Sequence, residues 1–379
     1  MSRIKIVHLI TGLNVGGAET MLFKLLSNMD AGRFENHVVS LSDIGVVGAR
    51  IRSLGLPVYG LGMRPGRPTP RSLRVLMRLL RGQRPSVLQS WMYHADLVGL
   101  PMGRLCRVPR VVWNVRCSDF VGNSSRRTTG WVSKACATMS AYPDAVIVNS
   151  DAGRRFHSAL GYHPKQWLVI PNGFDLGRYK ADPRARMRVG SELRLDPSSL
   201  VVGMVARYDA TKDHQTFVRA AGALNTKRPG VHFLLAGRGV TWANDTLVQW
   251  IDEAGVRDRM HLLGEREDVP ELLSSLDIAT LSSSHSEGFP NVIGEAMSCE
   301  APCVVTDVGD SAAIVADSGI VVPPRDPTAL AAGWLRLLDL GPEKRSVLGG
   351  KARERVQQHY SLDHVVTRYQ DLYLSLVGD

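Results

Sequence analysis

Short, mainly apolar runs alternate with helical patterns along most of this chain. Uninterrupted runs are typical of strands buried on both faces of a parallel sheet, whereas half-exposed strands alternate apolar and polar residues. In the first half, such runs cover residues 4–10, 37–41, 58–61, 87–89, 111–115, 145–148 and 168–170. A second series covers residues 201–205, 231–236, 261–263, 278–281 and 304–306. This alternation predicts an α/β protein of two doubly wound Rossmann-like domains that face a central cleft.

The chain of 379 residues is too long for one ordinary hydrophobic core and has the length of two common domains. A turn-rich segment around Asn172 and Gly173, followed by a charged stretch over residues 179–195, separates the two series of strands and helices. We therefore expect a first domain over residues 1–175 and a second domain over residues 176–359.

The net charge of +10 is unevenly distributed between the two halves. Residues 1–190 contain 28 Lys and Arg against 10 Asp and Glu, a balance of +18, whereas residues 191–379 contain 18 against 26, a balance of −8. Much of the positive charge lies within residues 64–84, in the arginines Arg64, Arg67, Arg71, Arg74, Arg78, Arg81 and Arg84. This basic amphipathic pattern predicts peripheral contact of the first domain with an anionic membrane, with a solvated face as the alternative. No nucleic-acid-binding motif accompanies the charge, so no nucleic-acid partner is expected.

Neither a membrane span nor a metal site is predicted. No window reaches the roughly 18 consecutive apolar residues of a spanning helix, and the apolar start contains Lys5 and His8. We therefore expect a cytoplasmic protein that can lie on the inner face of the membrane. The five cysteines are scattered and have no histidine at metal-binding spacing, which argues against a disulfide framework or a zinc site. They are Cys106, Cys117, Cys136, Cys299 and Cys303.

A glycine loop over residues 11–19 follows the first predicted strand. Because Gly16 and Gly17 carry no side chain, the backbone can approach a ligand closely at the start of the first helix. The spacing does not match the G-x-G-x-x-G dinucleotide fingerprint, which disfavours a hydride-transfer enzyme. His94 and Arg116 follow the fourth and fifth strands, at the edge where open α/β sheets bind ligands. A structural role is the alternative for each: His94 as a cap on the core and Arg116 in an ion pair.

Two cations follow the first strand of the second half, Arg207 and Lys212. The planar fork of an arginine and the point charge of a lysine both suit a diphosphate. Gly237 forms a glycine turn at the next strand end, and Arg266 belongs to the loop after the strand that follows. Because these residues follow strands of one parallel sheet, we expect them at the same edge.

Two glutamates flank a predicted helix start within residues 283–309. Glu287 precedes Gly288 and Pro290 and therefore lies on a loop, whereas Glu295 lies in a helix predicted to begin near Pro290. A helix N-terminus presents unpaired N–H groups and a positive dipole, which suit a phosphate, and carboxylates accept hydrogen bonds from hydroxyls. The combination suits a sugar nucleotide; the alternative is an ordinary strand, loop and helix with two solvated glutamates.

Taken together, these segments resemble the retaining glycosyltransferases of the GT-B fold in the family numbered four, over nearly the whole chain. The resemblance rests on GLNVGGAE (residues 12–19), NGFD (172–175), VARYDATKD (205–213), LAGRG (235–239), and on Glu287 and Glu295, separated by seven residues around GFPNVIGEAM. It implies an acceptor-side first domain, to which the C-terminal helix of about residues 360–379 returns. The second domain would bind a nucleoside diphosphate sugar, with no cofactor or metal required.

The resemblance also implies roles for individual residues. Arg207 and Lys212 would bind the diphosphate. Glu287 would bind the sugar hydroxyls and Glu295 the ribose. Other residues expected at the donor are Gly16, Gly17, Gly237, Arg266, Gly288, Phe289, Asn291 and Val292. Many family members have a histidine where this chain has Arg116, so Arg116 and His94 are only acceptor-side candidates.

The implied reaction moves a sugar, preferably from a UDP-sugar, to an acceptor hydroxyl with retention of anomeric configuration. A lipid-linked saccharide of cell-surface polysaccharide synthesis is the expected acceptor. No Asp-x-Asp metal motif is present. Three alternatives stay open: a GDP-mannose-dependent mannosyltransferase, a sugar-nucleotide epimerase of similar fold, and a non-catalytic sugar-nucleotide-binding protein.

Overall fold

The computed structural model describes residues 3–63, 68–116 and 126–378, with only the backbone described for residues 126–128. The chain divides into two compact units: residues 1–173 with 362–379 form unit 1, and residues 174–361 form unit 2. The sequence predicted that the first domain ends at residue 175 and that the C-terminal helix begins near residue 360. The predictions for Arg64, Arg67 and Cys117 concern residues outside the described ranges.

Unit 1 contains a parallel sheet and seven helices within its described residues. Its strands are β1 (Ile4–Ile10), β2 (Phe34–Ser40), β3 (Val58–Gly60), β4 (Val87–Trp91), β5 (Arg110–Val115), β6 (Ala145–Val148) and β7 (Trp167–Val169). Its helices are α1 (Gly17–Asn28), α2 (Gly45–Ser53), α3 (Pro70–Gln83), α4 (Tyr93–Leu105), α5 (Arg126–Met139), α6 (Asp151–Ala159) and, at the C-terminus, α15 (Leu362–Gly378). The strand order is β3-β2-β1-β4-β5-β6-β7. The predicted strands of the first half are all present, with ends shifted by a few residues.

Helices cover both faces of this sheet, which explains why its strands carry apolar residues on both faces. Ile6 and Ile10 of β1 pack with α1 and α15 on one face. Val7 and Leu9 of the same strand pack with α3 and α4 on the other face. Because successive side chains of a strand point to opposite faces, both sets must be apolar when both faces are covered.

The C-terminal helix α15 is joined to unit 1 by buried polar contacts as well as by apolar packing. The Tyr373 hydroxyl donates to Oε1 of Gln89 on β4. Nδ2 of Asn114 on β5 donates to the Tyr369 hydroxyl at 2.9 Å. Buried hydrogen bonds of this kind restrict the position of the helix more than apolar contact alone does. A buried polar group without its partner would have lost its hydrogen bonds to water and gained none in return.

Helix α3 supplies most of the described part of the predicted basic helix. It begins after Thr69, whose side chain forms a capping box with Ser72. Leu76 and Leu80 are fully buried in the core of unit 1, while Arg74 and the other arginines of the helix point to solvent. The apolar face of α3 is therefore occupied by its own unit, and only its basic face is open to a partner.

Unit 2 contains a second parallel sheet, of order β10-β9-β8-β11-β12-β13. The strands are β8 (Leu200–Val205), β9 (Val231–Ala236), β10 (Met260–Leu262), β11 (Ile278–Leu281), β12 (Cys303–Thr306) and β13 (Gly319–Val322). The helices are α7 (Ala185–Glu192), α8 (His214–Lys227), α9 (Asp245–Glu253), α10 (Val269–Ser274), α11 (Asn291–Ser298), α12 (Ser311–Val315), α13 (Pro327–Asp339) and α14 (Gly341–His359).

Two details of unit 2 differ from the sequence prediction. The edge strand β13 was missed because it has four residues and is largely half-exposed, so it forms no buried apolar run. Helix α11 begins at Asn291, and Pro290 is its N-cap in extended backbone rather than its first residue. Neither difference moves the loops that carry the predicted site residues.

Candidate functional site

The strand order of unit 2 reverses between β8 and β11, so their following loops emerge side by side at the carboxyl edge of the sheet. Open α/β sheets bind ligands at such a switch point. The loop over residues 206–213 and the loop over residues 282–290 are tied directly. Ser284 donates its backbone N–H to the Thr211 carbonyl at 2.9 Å, and the Ser282 hydroxyl donates to the Lys212 carbonyl at 2.9 Å. The two loops therefore form one surface.

Lys212, predicted at the diphosphate, and Glu287, predicted at the sugar, form an ion pair across this surface. Nζ of Lys212 contacts Oε1 of Glu287, and the Ser283 hydroxyl donates to the same Oε1 at 2.6 Å. The side chains are only 18% and 9% exposed, so water screens the pair weakly. Both contacts use Oε1, which leaves Oε2 for a ligand hydroxyl, and an ammonium has three donors. The arrangement can therefore hold a fixed positive charge and accept a sugar hydroxyl.

Arg207 occupies the start of the same loop but has a different partner. Its Nε and Nη2 both lie close to Oδ2 of Asp209, at 3.2 and 3.1 Å, and its side chain is 54% exposed. Oδ1 of Asp209 accepts from the Thr211 amide and hydroxyl at 3.0 and 2.7 Å. Partial burial raises the pKa of Asp209, but the bonds from Thr211 and Arg207 outweigh it and lower the pKa. Within the described residues, Arg207 makes no hydrogen bond or ion pair with Lys212 or Glu287.

Two residues that the sequence analysis did not single out shape these loops. Asp213 caps α8 by accepting from the Thr216 amide at 3.0 Å, and it has the left-handed φ of 50° that follows Lys212. Gly309 has a φ of 64°, and a Cβ there would lie 2.3 Å from the Glu287 carbonyl oxygen. Asp213 lies three positions before Thr216, and a polar residue at that spacing is a recognisable N-cap signal. No local sequence pattern indicates the close contact at Gly309.

Gly237 and Arg266 lie on neighbouring loops and have clear structural roles. A Cβ on Gly237 would lie 2.1 Å from the Ala206 carbonyl oxygen, so the backbone approach at the end of β8 requires glycine. Arg266 donates to Glu192 at 2.6 and 3.0 Å and to Asp268 at 2.8 and 2.7 Å. Both carboxylates raise the pKa of Arg266, Asp268 the more strongly. A base contact from this guanidinium would have to share or replace these bonds.

Phe289 and Val292 belong to the core side of the glutamate loop. The Phe289 ring lies between Phe174 and Tyr360, with centroids 6.0 and 5.5 Å away, and Val292 packs against the same cluster. Their side chains therefore help to fix the loop. The Gly288 carbonyl accepts from the Asp310 amide at 3.0 Å.

The start of α11 carries the remaining predicted donor residues. Asn291 is its first helical residue and is exposed. Glu295 lies farther along the helix beside the hydroxyl of Tyr179; burial raises the pKa of this tyrosine, and the Glu295 carboxylate raises it further. Tyr179 therefore stays protonated and can donate to Glu295. Sequence reasoning gave no sign of Tyr179 as a neighbour of this glutamate.

In unit 1, the glycine loop forms the N-terminus of α1. Gly16 is the N-cap in extended backbone, and Gly17 opens the helix. A Cβ on Gly17 would meet no atom within 4 Å, whereas one on Gly16 would lie 2.3 Å from Oε2 of Glu19. The space above Gly17 is therefore open to a ligand, and Gly16 makes room for a nearby carboxylate. Burial raises the pKa of Glu19, while the nearby Arg116 partly counteracts this rise.

Arg116, at the end of β5, lies in a polar network of unit 1. Nη2 donates to Oδ1 of Asn172, and Nη1 donates to the Tyr369 hydroxyl at 3.3 Å and to Oδ1 of Asn114 at 3.4 Å. Its guanidinium also lies over the Trp91 ring, 5.7 Å from the centroid. Burial lowers the pKa of Arg116, and Tyr369 and Glu19 oppose that change. The side chain links β5 to α15 whether or not it also contacts an acceptor.

His94 lies in the first turn of α4, close to the end of β4. It is half-buried, and burial lowers the pKa of its imidazole. No hydrogen bond between His94 and Arg116 occurs among the described residues. Asp96, two positions later, is fully buried and accepts from the Ser90 hydroxyl at 2.5 Å; burial raises its pKa well above the usual range. A fully buried carboxyl group at this position was not expected from the sequence.

No helix among the described residues combines the length and the apolar composition that a membrane span needs. The same residues contain no group of three or more His, Cys, Asp and Glu side chains that could hold a metal ion.

Two glycosyltransferase family descriptions match the chain, one in each half. The family described as Glycosyltransferase Family 4 matches residues 15–178, and the one described as Glycosyl transferases group 1 matches residues 199–340. The chain is 25% identical over 318 residues to the Escherichia coli UDP-Gal:alpha-D-GlcNAc-diphosphoundecaprenol alpha-1,3-galactosyltransferase, covering 81% of this chain and 80% of that protein. It is 27% identical over 335 residues to the Rhizobium meliloti lipopolysaccharide core biosynthesis mannosyltransferase LpsB, covering 82% of this chain and 92% of that protein.

The fold also has close counterparts among solved structures. The crystal structure of Anabaena HepE in complex with UDP and glucose is similar with a TM-score of 0.80 and 21% identity, covering 98% of this chain and 100% of that chain. At this identity the likeness concerns the fold, which agrees with the two parallel-sheet units described above. The chain therefore belongs to family 4 of the glycosyltransferases and has the GT-B fold.

Proposed function

We propose that this glycosyltransferase moves a sugar from a UDP-sugar to a hydroxyl of a lipid-linked saccharide, with retention of anomeric configuration, in cell-surface polysaccharide synthesis. The observation that carries the donor part is the Lys212–Glu287 pair, held by Ser283 at the switch point of unit 2. The name of the Escherichia coli relative supports both substrates, since it specifies UDP-Gal and a diphosphoundecaprenol-linked acceptor. The UDP and glucose in the Anabaena structure support the donor.

The proposed mechanism places the cations at the leaving group. As the glycosidic bond breaks, negative charge gathers on the diphosphate, and Lys212 and Arg207 stabilise that charge more in the transition state than in the ground state. Glu287 holds the Lys212 ammonium in place through Oε1 and accepts a sugar hydroxyl through Oε2. Because the pair is shielded from water, the charge of Lys212 acts at a higher effective strength than it would at the surface.

The proposed bond changes follow from retention. The bond between the anomeric carbon and the diphosphate oxygen breaks on the face at which the acceptor oxygen attacks, and the acceptor proton passes to the leaving phosphate. The glutamates orient the donor and do not act as the carboxylate pair of a glycoside hydrolase. This proposal needs no metal ion or cofactor.

A panel of sugar nucleotides tests the donor. Binding to the folded protein raises its unfolding temperature, and a ligand at about one hundred times its Kd adds about 2.7 kcal/mol of stability. We expect the UDP-sugars to give the largest shift, and transfer to a lipid-linked saccharide to follow with the same donor. A shift with GDP-mannose alone would replace this donor by the second candidate, mannosyl transfer, which the Rhizobium relative favours. Conversion of the donor without any acceptor would instead establish an epimerase.

We also propose that unit 1 contacts the inner face of an anionic membrane. The exposed arginines of α3 include Arg71, Arg74 and Arg78, and within the described residues none of them forms an ion pair. Since the apolar face of α3 is buried in its own unit, the contact is electrostatic and does not insert the apolar side of this helix. Vesicle co-sedimentation that did not depend on anionic lipid would overturn this part.

A further inference from the structure

A cavity of about 480 Å³ lies at the edge of the unit 1 sheet opposite His94 and Arg116. It is bounded by the ends of α3 and α4 and by the residues just before β4 and β5. Its lining consists of Leu80, Arg81, Arg84, Pro85, Ser86, Cys106, Arg107, Val108 and Pro109. Small-molecule sites commonly have volumes of roughly 300–1,000 Å³, so the cavity can hold a ligand head group. It is separate from the strand edge that carries the predicted acceptor-side residues.

The charge of this cavity is uncompensated. Arg81, Arg84 and Arg107 are exposed, the lining contains no carboxylate, and none of the three forms an ion pair within the described residues. The neighbouring Arg104 and Arg110 differ, because both lie near the Asp144 carboxylate, at 4.0 and 3.7 Å. Three guanidinium groups around one opening therefore favour an anion, and guanidinium forks match phosphate oxygens.

Two of these arginines hold an uncommon backbone conformation. Arg84 follows α3 with a φ of 47°, and Arg107 follows α4 with a φ of 56°. Glycine or asparagine is the usual residue at such helix ends. A cation there also complements the helix dipole, which offers a purely structural explanation that an experiment must separate from ligand binding.

Two large exposed side chains, Leu105 and Tyr142, belong to segments connected to the cavity, although neither is part of its lining. Leu105, next to Cys106 in the chain, is 55% exposed. Tyr142 is 62% exposed, and its carbonyl accepts from Nη2 of Arg104 at 2.7 Å. Exposed aliphatic and aromatic side chains beside arginines are typical of surfaces that meet the headgroup region of a bilayer. A soluble anion would use the charges but would have no use for these two exposed side chains.

We infer that this cavity binds the phosphate of an anionic phospholipid headgroup, with Leu105 and Tyr142 at the lipid boundary. The inference rests on the proposed membrane contact of unit 1 and names the place where that contact is specific. The arginines of α3 would bring the unit to the bilayer by diffuse attraction. The cavity would then hold one headgroup.

Vesicle binding by the full chain, without donor or acceptor, tests this inference. The variant Arg81→Gln/Arg84→Gln/Arg107→Gln is compared with wild type on phosphatidylcholine vesicles with and without phosphatidylglycerol. We expect its partitioning onto the anionic vesicles to fall by more than about 100-fold, because diffuse attraction alone accounts for roughly five-fold for each arginine at an anionic surface. Because the assay reads lipid binding and not turnover, failure of the proposed glycosyl transfer would leave this result unchanged.

A matched control removes the same charge elsewhere. Arg194 and Arg325 of unit 2 are exposed arginines with φ of 55° and 60°, and Arg336 lies in the last turn of α13, as Arg81 lies in the last turn of α3. The triple Arg-to-Gln change at these positions should alter partitioning by less than about three-fold, since these residues lie outside unit 1. Equal losses in both triple variants would overturn the inference in favour of net charge alone.

Further measurements separate the remaining explanations. Changing Arg71, Arg74 and Arg78 to Gln should weaken anionic-vesicle binding less than the cavity variant does; an equal loss would show a diffuse basic face and overturn the headgroup site. If the cavity variant retains lipid binding but loses thermal stability, the arginines serve the helix ends and the inference is wrong.

Arg84→Asn and Arg107→Asn keep a residue suited to the left-handed conformation and supply the same comparison should the triple variant not fold. Binding of inorganic pyrophosphate at this cavity without any effect on vesicle binding would assign it to a soluble anion instead.

Discussion

Two cations at the carboxyl edges of the two sheets have contrasting surroundings. Lys212 in unit 2 pairs with one carboxylate, Glu287, and keeps donors that a ligand can use. Arg116 in unit 1 contacts Asn114, Asn172 and Tyr369 and lies over an aromatic ring. Both positions follow a buried strand, so sequence position alone does not separate them. The two cations differ in how many of their hydrogen-bond donors already contact other residues of the protein.

The largest expected effect concerns the structural side of this contrast. Arg116→Ala should lower the free energy of unfolding by about 2 kcal/mol, because hydrogen bonds from a charged group in a partly buried network are lost. Arg207→Ala should cost less than about 1 kcal/mol, since its pair with Asp209 is largely exposed. Denaturant unfolding of the two variants measures both. A loss in Arg116→Ala as small as that expected for Arg207→Ala would show that Arg116 is not a fold-stabilising residue and would favour its acceptor-side prediction.

Removing the other cation should act on catalysis. Lys212→Ala should reduce kcat/KM for transfer by at least about tenfold, the rate equivalent of about 1.4 kcal/mol, because charge on the leaving diphosphate loses its partner. Lys212→Arg keeps the charge and serves as the matched control, with a smaller loss expected. Steady-state kinetics with the donor found by the panel provides the measurement. Wild-type turnover in the alanine variant would contradict the assignment of Lys212.

The stability of the protein at low pH tests the contacts that neutral His157 makes in unit 1. His157 is buried, accepts from the Tyr93 hydroxyl at 2.7 Å and places Nδ1 2.7 Å from the Gly153 carbonyl; burial lowers its pKa to about 4. Between pH 6.5 and 4 the unfolded histidine binds a proton and the folded one does not, so stability falls as pH falls through this window.

For this one residue we expect a loss of about 1 kcal/mol between about pH 7 and pH 5.5. Denaturant unfolding at several pH values measures the slope, and His157→Gln should flatten it at the cost of some stability at neutral pH. The buried residues His8 and His214 have similarly lowered pKa values of about 4, so the variant should retain a residual slope from these sites. An unchanged slope would show that His157 does not titrate in this way.

The smallest expected effect on stability is at Gly17. Because a Cβ there meets no atom within 4 Å, Gly17→Ala should change the free energy of unfolding by less than about 1 kcal/mol. If the diphosphate approaches this backbone, as the family resemblance implies, the methyl group should raise the donor KM several-fold. Gly237→Ala is the contrasting variant, since its Cβ would collide with the Ala206 backbone and destabilise unit 2. An unchanged KM in Gly17→Ala would remove this residue from the donor site.

Sequence reasoning found the α/β class because buried parallel strands require apolar residues on both faces, as β1 shows with Ile6 and Val7 on opposite sides. It missed β13, whose position at a half-exposed edge removes that requirement. It described α3 correctly as basic and amphipathic but did not show what covers its apolar face. That face contacts the core of unit 1, so the helix cannot insert it into a membrane.

The sequence by itself determined which chemical groups follow the strands: Arg207 and Lys212 after β8, and Glu287 after β11. Local order suffices for this, because a residue that follows a buried strand must emerge at the edge of the sheet. Only the tertiary structure decided the partners. Glu287 meets Lys212 from 75 positions away, and Arg116 meets Tyr369 from 253 positions away. Such pairs depend on strand order and on the return of the C-terminal helix, neither of which any local pattern contains.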